Sequence, residues 1–282
     1  MIIDVHTHIF PPEIRDQREK YLPRDAWFGT LYTNPHARMA SAEDLLTVMD
    51  LDGVDRAVIG GFAWADQGLC QAHNDYLLDC VARYPDRLIG IAAVQPRAGA
   101  AAARELRRCL EGGLRGLGEL FPDGQGFTLD ETDLLAPLVD ILQAAQLPLL
   151  THTSEPVGHD YHGKGHTEPG HVIALAECFP ELRLICGHWG GGLPFYELMP
   201  EVAAALQNVS YDMAASPYLY RWRIVPVAIQ MVGVHKILFG SDYPLIRPKN
   251  YIEHLRALSL EENECTAILG GNAARLWGID LR

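Results

Sequence analysis

IIDVHTH spans residues 2–8 of the chain. A short β-branched run leads directly into two histidines spaced one residue apart. At a strand period of two, His6 and His8 point to the same side. Seven further runs of this kind follow: RAVIGGF (56–62), RLIGIAAV (87–94), LRGLGEL (114–120), LPLLTHT (147–153), LRLICGHW (182–189), NVSYDMAA (208–215) and KILFGSD (236–242). Most are apolar on both faces, the pattern of parallel strands covered by helices. Stretches of helical period separate them, among them AEDLLTVMDLDG after Ser41, AAAARELRRCLEGG and ETDLLAPLVDILQAAQ. Ser41 with Asp44 predicts a helix N-cap, and Gly112-Gly113 a helix stop. The closing NYIEHLRALSLEENECTAILGGNAARLWGI reads as helical throughout, with a break at its Gly-Gly pair.

Strand starts recur about every 25 to 35 residues, the length of a βα unit. One longer gap follows the first strand, through PPEIRDQREKYLPRDAWFGTLYTNPHARM. It is too polar and too interrupted by proline for a strand and reads as an inserted loop over a barrel mouth. Eight βα units in 282 residues predict a single (β/α)8 barrel domain over 1–282,. A doubly wound open sheet is the weaker reading, because no G-x-G-x-x-G follows the first strand. In a barrel the reactive groups gather at the C-terminal ends of the strands. His6 and His8 end the first run, Glu119 the fourth, His152 the fifth, His188 the sixth and Asp242 the eighth. Each alone has a plain reading: Asp242 as a helix cap, Glu119 as a partner of Arg115. Their common placement makes them candidate ligands of a divalent metal.

The net charge of −13 argues against nucleic acid, whose phosphates need a basic footprint,. No apolar run approaches the length of a membrane span. No basic and then apolar leader precedes His6, so a cytoplasmic protein is expected. Six scattered cysteines with no C-x-x-C pair read as reduced thiols,.

The stretches DVHTH (4–8), LLTHTSE (149–155), CGHWGGGLP (186–194), FGSDYP (239–244) and ILGGNAARLWGI (268–279) resemble, in order, motifs of the amidohydrolase superfamily. The resemblance is to the branch that includes aminocarboxymuconate-semialdehyde decarboxylase and related metal-dependent hydrolases. It implies a distorted barrel of the metallo-dependent hydrolase type, holding one or two divalent ions. Zinc leads, with manganese, iron or nickel as alternatives. By position, His6, His8 and Asp242 hold the first ion. His152 either completes that site or joins His188 around a second ion, with Glu119 as a bridge. A divalent ion brings the pKa of bound water from about 15.7 to near 7, and Asp242 is placed to move its proton. If His188 is not a ligand, it is the acid–base group beside the metal.

Substrate-contacting candidates come from the loops. Tyr161 and Lys164 lie in SEPVGHDYHGKGHTEPGH (154–171), which should overhang the site. Trp27, Phe28 and His36 come from the first loop; Trp64, Tyr218, Tyr220, Arg221 and Arg247 come from later ones. An arginine among aromatics suits a planar carboxylate. The leading expectation is a hydrolase of a small lactone, amide or ester. The alternative is a non-oxidative decarboxylase of an aromatic or muconate-type acid. Members of this branch often pair, so a homodimer is expected.

Overall fold

The structure, a computed structural model, describes residues 1–280; the expected domain extends two residues beyond them. Eight strands follow the eight runs: β1 Ile3–His8, β2 Arg56–Gly60, β3 Leu88–Gly90, β4 Leu117–Leu120, β5 Leu149–Thr151, β6 Leu184–Cys186, β7 Val209–Asp212 and β8 Ile237–Leu238. They form a three-stranded sheet, β1-β2-β3, and a five-stranded one, β4-β5-β6-β7-β8, parallel throughout. Two single-residue pairings join the sheets, Ala92 with Leu117 and Thr7 with Tyr243. At the first seam the Ala92 and Gly118 amides donate to the Gly116 and Ala92 carbonyls at 2.9 and 2.8 Å. At the second, Val5 and Asp242 donate to Phe239 and His6, both at 2.9 Å. The ring therefore closes as the expected (β/α)8 barrel, distorted because its seams are short.

Alternate strand residues fill the interior: Ile3, Val5, Val58, Ile89, Ile91, Leu150, Ile185 and Leu238. The helix Asn272–Trp277 plugs the N-terminal end of the strands with Ala273, Ala274 and Trp277. Its indole donates to the Arg115 carbonyl at 2.9 Å. A larger apolar layer lies between strands and outer helices, and includes Leu45, Leu77, Leu106, Leu142, Leu175 and Leu255. Each such burial stabilises by roughly 1.5–3 kcal/mol. Ser41 caps the helix Ala42–Asp52 reciprocally with Asp44, and the helix Ala100–Glu111 stops at Gly112. All six cysteines are free. No helix among the described residues is long and apolar enough to cross a membrane.

Two expectations need correction. The insertion after β1 is not simply a loop, for it holds helices Pro12–Asp16 and Ala26–Tyr32. Pro12 opens the first at a position where its missing N–H is not needed,. Asp25 caps the second, accepting from the Trp27 and Phe28 amides at 2.9 Å each,. Nor does the last helical stretch break at Gly270-Gly271. It breaks after Ala257, and the glycines continue as one wide turn. A Cβ on Gly270 would overlap the Met1 carbonyl, so glycine there admits the start of the chain beneath the barrel.

Candidate active site

All six candidate ligands converge at the C-terminal mouth of the barrel. His6 Nε2 and His8 Nε2 lie 3.1 Å apart, each 3.6 Å from Glu119 Oε2. Asp242 Oδ1 stands 3.6 Å from His8 Nε2 and 4.0 Å from His6 Nε2. On the other side of Glu119, Oε1 lies 3.1 Å from His152 Nδ1 and 3.6 Å from His188 Nε2. Those two imidazole nitrogens are themselves 3.1 Å apart. Glu119 thus sits between two triads of donor atoms, one with His6 and His8 and one with His152 and His188.

The outer nitrogen of each ring is tied down, which turns the inner one toward the centre. His6 Nδ1 donates to Asp212 Oδ2 at 2.7 Å. His8 Nδ1 faces the Gly61 carbonyl at 3.4 Å, and His188 Nδ1 the Ala214 carbonyl at 3.3 Å. His152 Nε2 meets the Ser154 hydroxyl at 3.2 Å. With the outer nitrogens protonated, the inner lone pairs face one another at 3.1 Å within each triad. Only a shared proton or a cation stabilises that arrangement. This donor set fits a divalent metal.

Electrostatics point the same way. Burial opposes a charged His6, yet the Asp212 and Glu119 carboxylates outweigh it and push its pKa well above the ordinary value. For His188 burial is outweighed by the Glu119 hydrogen bond and by Asp242, raising the pKa to about 9. His8 goes down, through burial and then the charge on His6. Burial would lift Glu119, but His6, His152 and His188 together hold it well below the carboxylate range. The pocket floor is an anionic cradle that calls for positive charge.

Above the floor opens a cavity of about 550 Å³, walled by Tyr32, Phe62, Phe121, Tyr161 and Tyr218. Arg38 and His36 from the insertion and His159 and His162 from the segment after β5 rim it. That segment overhangs the site as expected. It is anchored by Asp123, which accepts from the His166 amide at 2.8 Å and pairs with the His166 ring at 2.7 Å. Gly191, at φ +61, lets the chain after β6 pass against the Ser154 carbonyl, where a Cβ would overlap.

Of the ten loop residues named as substrate-contacting candidates, Tyr161, Tyr218 and His36 line this cavity. Trp27, Lys164 and Arg247 do not. Trp27 packs its ring on Phe121, centroids 4.9 Å apart, behind the wall. Lys164 turns back onto the Val157 and His159 carbonyls, at 3.4 and 3.3 Å. Arg247 pairs with Asp52 on the outer surface, because it lies past the turn after β8 at the start of the helix Pro248–Ala257. Sequence reasoning missed Asp212, Tyr32 and Arg38. Asp212 ends β7, the strand that carried no candidate although its neighbours did, and that position was the available signal.

The family description "Amidohydrolase" matches residues 3–279. The chain belongs to the amidohydrolase family. It is 24% identical over 336 residues to 2-amino-3-carboxymuconate-6-semialdehyde decarboxylase of Dictyostelium discoideum, covering 99% of this chain and 92% of that one. It is 24% identical over 328 residues to gamma-resorcylate decarboxylase of Rhizobium radiobacter, covering 99% of both. Its fold matches the crystal structure of 5-carboxyvanillate decarboxylase from Novosphingobium aromaticivorans, complexed with manganese and 4-hydroxy-3-methoxy-5-nitrobenzoic acid. The TM-score is 0.81 at 20% identity, over 99% of this chain and 96% of that one. The chain is an enzyme of the amidohydrolase superfamily. Hydrolysis of a lactone, amide or ester, the leading expectation, is overturned by these relatives, which are decarboxylases.

Proposed function

We propose that this amidohydrolase is a metal-dependent, non-oxidative decarboxylase of an aromatic or muconate-type carboxylic acid. The observation that carries the reading is the pairing of a metal-ligand floor with an aromatic-walled pocket, in a chain whose full-length relatives are decarboxylases. His6, His8, Glu119, His152, His188 and Asp242 are the residues that would hold the ion. Two triads meeting at one carboxylate favour two ions per chain over one, and manganese, present in the Novosphingobium neighbour, is the first ion to load, with zinc second. Bound there, a divalent ion supplies charge stabilisation for the acid's oxygens.

The chain's own residues supply the rest. Phe62 and Phe121 wall a planar acid, and Arg38 offers a fork to a carboxylate at the rim, since its guanidinium makes no hydrogen bond or ion pair among the described residues,. Asp242 delivers a proton to the ring or chain carbon that bears the carboxylate. The C–C bond then breaks, its electron pair returns to the conjugated system, and carbon dioxide leaves. The product carries hydrogen where the carboxylate stood.

The test is carbon dioxide release from 2,6-dihydroxybenzoate, 5-carboxyvanillate and muconate-type acids by manganese-loaded protein, run in heavy water with metal content counted by mass spectrometry. Carbon dioxide with one deuterium in the product is the expected result. No release from any acid by the fully loaded protein overturns the reading.

A further inference from the structure

Tyr32 ends the helix Ala26–Tyr32 in the insertion and reaches into the cavity over the ligand cluster. Its ring is fixed on three sides. It meets Phe10 edge-on at 5.4 Å between centroids, Phe28 at 4.7 Å and Phe62 at 6.1 Å. Its hydroxyl has no hydrogen-bond partner among the described residues. The neighbouring phenol differs, for Tyr161 is occupied by Glu155 at 3.2 Å. Tyr218, the other tyrosine of the wall, stands largely in solvent. A half-buried phenol on a rigid ring, open only toward a cavity, has its partner in whatever fills that cavity.

Charge decides what the phenol does. Burial and the negative charge of Asp242 push its pKa up, with Arg18 pulling the other way and Glu119 adding to the rise. Tyr32 therefore stays protonated and acts as a donor, neither base nor nucleophile. It is the inner donor of a pocket whose arginine, Arg38, is exposed at the rim.

We propose that Tyr32 is a substrate-binding residue that donates its hydroxyl hydrogen to an oxygen of the bound acid. The assignment rests on the decarboxylase reading and deepens it: the favoured acids carry an acceptor oxygen beside the carboxylate that is lost, as an ortho-hydroxy acid or a diacid does.

The experiment compares manganese-loaded wild type with Tyr32→Phe. Affinity for 2,6-dihydroxybenzoate and 2-nitroresorcinol is measured by calorimetry, and carbon dioxide release is measured on the same samples. Phenylalanine keeps the packing on Phe10, Phe28 and Phe62, so manganese content and melting temperature should match the wild type. Binding of both probes should weaken at least tenfold in the variant, with KM raised by a similar factor and kcat changed less. Equal affinities in the two proteins overturn the assignment while leaving decarboxylation standing. Weaker binding by the variant, with no carbon dioxide from the wild type, overturns decarboxylation and keeps the Tyr32 contact. Failure of both probes to bind the wild type overturns both.

Discussion

Asp212→Asn isolates the contribution of a residue that touches neither ion nor substrate. Asp212 is fully buried, and each of its oxygens is committed. Oδ2 accepts from His6 Nδ1 at 2.7 Å, while Oδ1 accepts the His188 and Ala214 amides at 2.9 Å each. Asparagine offers only one acceptor oxygen. If that oxygen serves the two amides, the NH2 group faces His6 Nδ1, which must then accept. The proton moves to Nε2, and His6 ceases to be a ligand. If the oxygen faces His6 instead, the NH2 group points at two amide donors. Either way one buried charge-assisted bond is lost, about 1.5–3 kcal/mol of stability. Loss of such outer partners typically weakens metal binding 10–100-fold, about 1.4–2.8 kcal/mol. Manganese and zinc affinities, measured by competition with a fluorescent chelator on metal-free protein, should fall by that factor. Unchanged affinity in a folded variant would refute the claim that Asp212 sets the tautomer of His6.

Three other outcomes follow from the site and the fold. Asp242→Asn should lower kcat for carbon dioxide release by about 10²–10⁴, the usual worth of a positioned acid. Metal content measured on the same sample separates loss of the proton donor from loss of an ion, and an unchanged kcat would remove Asp242 from the reaction. Glu119→Gln should reduce bound manganese from two ions per chain to one or none by elemental mass spectrometry; two retained ions would show that Glu119 is not the bridge. Glu105, buried and bonded to Asn74 at 2.8 Å and to Arg108 at 2.7 Å, has a pKa that those bonds lower despite the opposing burial. A depressed carboxylate adds stability that is complete above its unfolded pKa and fades as pH falls through the folded one. Acid unfolding of the wild type should thus exceed that of Glu105→Gln below about pH 4.3, the ordinary glutamate value, and parallel curves would contradict it.

The barrel was legible because its strands are apolar on both faces and its ligands end them. His6, His8, Glu119, His152, His188 and Asp242 each stand where a strand gives out, and strand period alone orients the His6/His8 pair. What the sequence hid lies where orientation depends on packing. Trp27, Lys164 and Arg247 carry the right chemistry on loops near the mouth, but each faces another part of the fold. Tyr32 and Arg38 sit in a segment that reads as polar loop, and only the cap at Asp25 and the packing of Phe28 turn that segment into a wall. Asp212 was hidden by its role, since it acts on a histidine rather than on the ion. The choice between hydrolysis and decarboxylation was not in the ligands at all, for both reactions use the same cradle.

The two-sheet construction has a mechanical side. His6 and His8 belong to the three-stranded sheet, while Glu119, His152, His188 and Asp242 belong to or follow strands of the five-stranded one. Anything that all of them grip fastens the two halves at one end of the tube, as the helix ending at Trp277 fastens them at the other. A cofactor placed this way doubles as a clasp. Stripping it with a chelator should leave the strands within each half zipped and loosen the short seams first. Amide deuterium exchange should then accelerate at Val5, Ala92, Gly118 and Asp242 well before it does at Ile59 or Ile185.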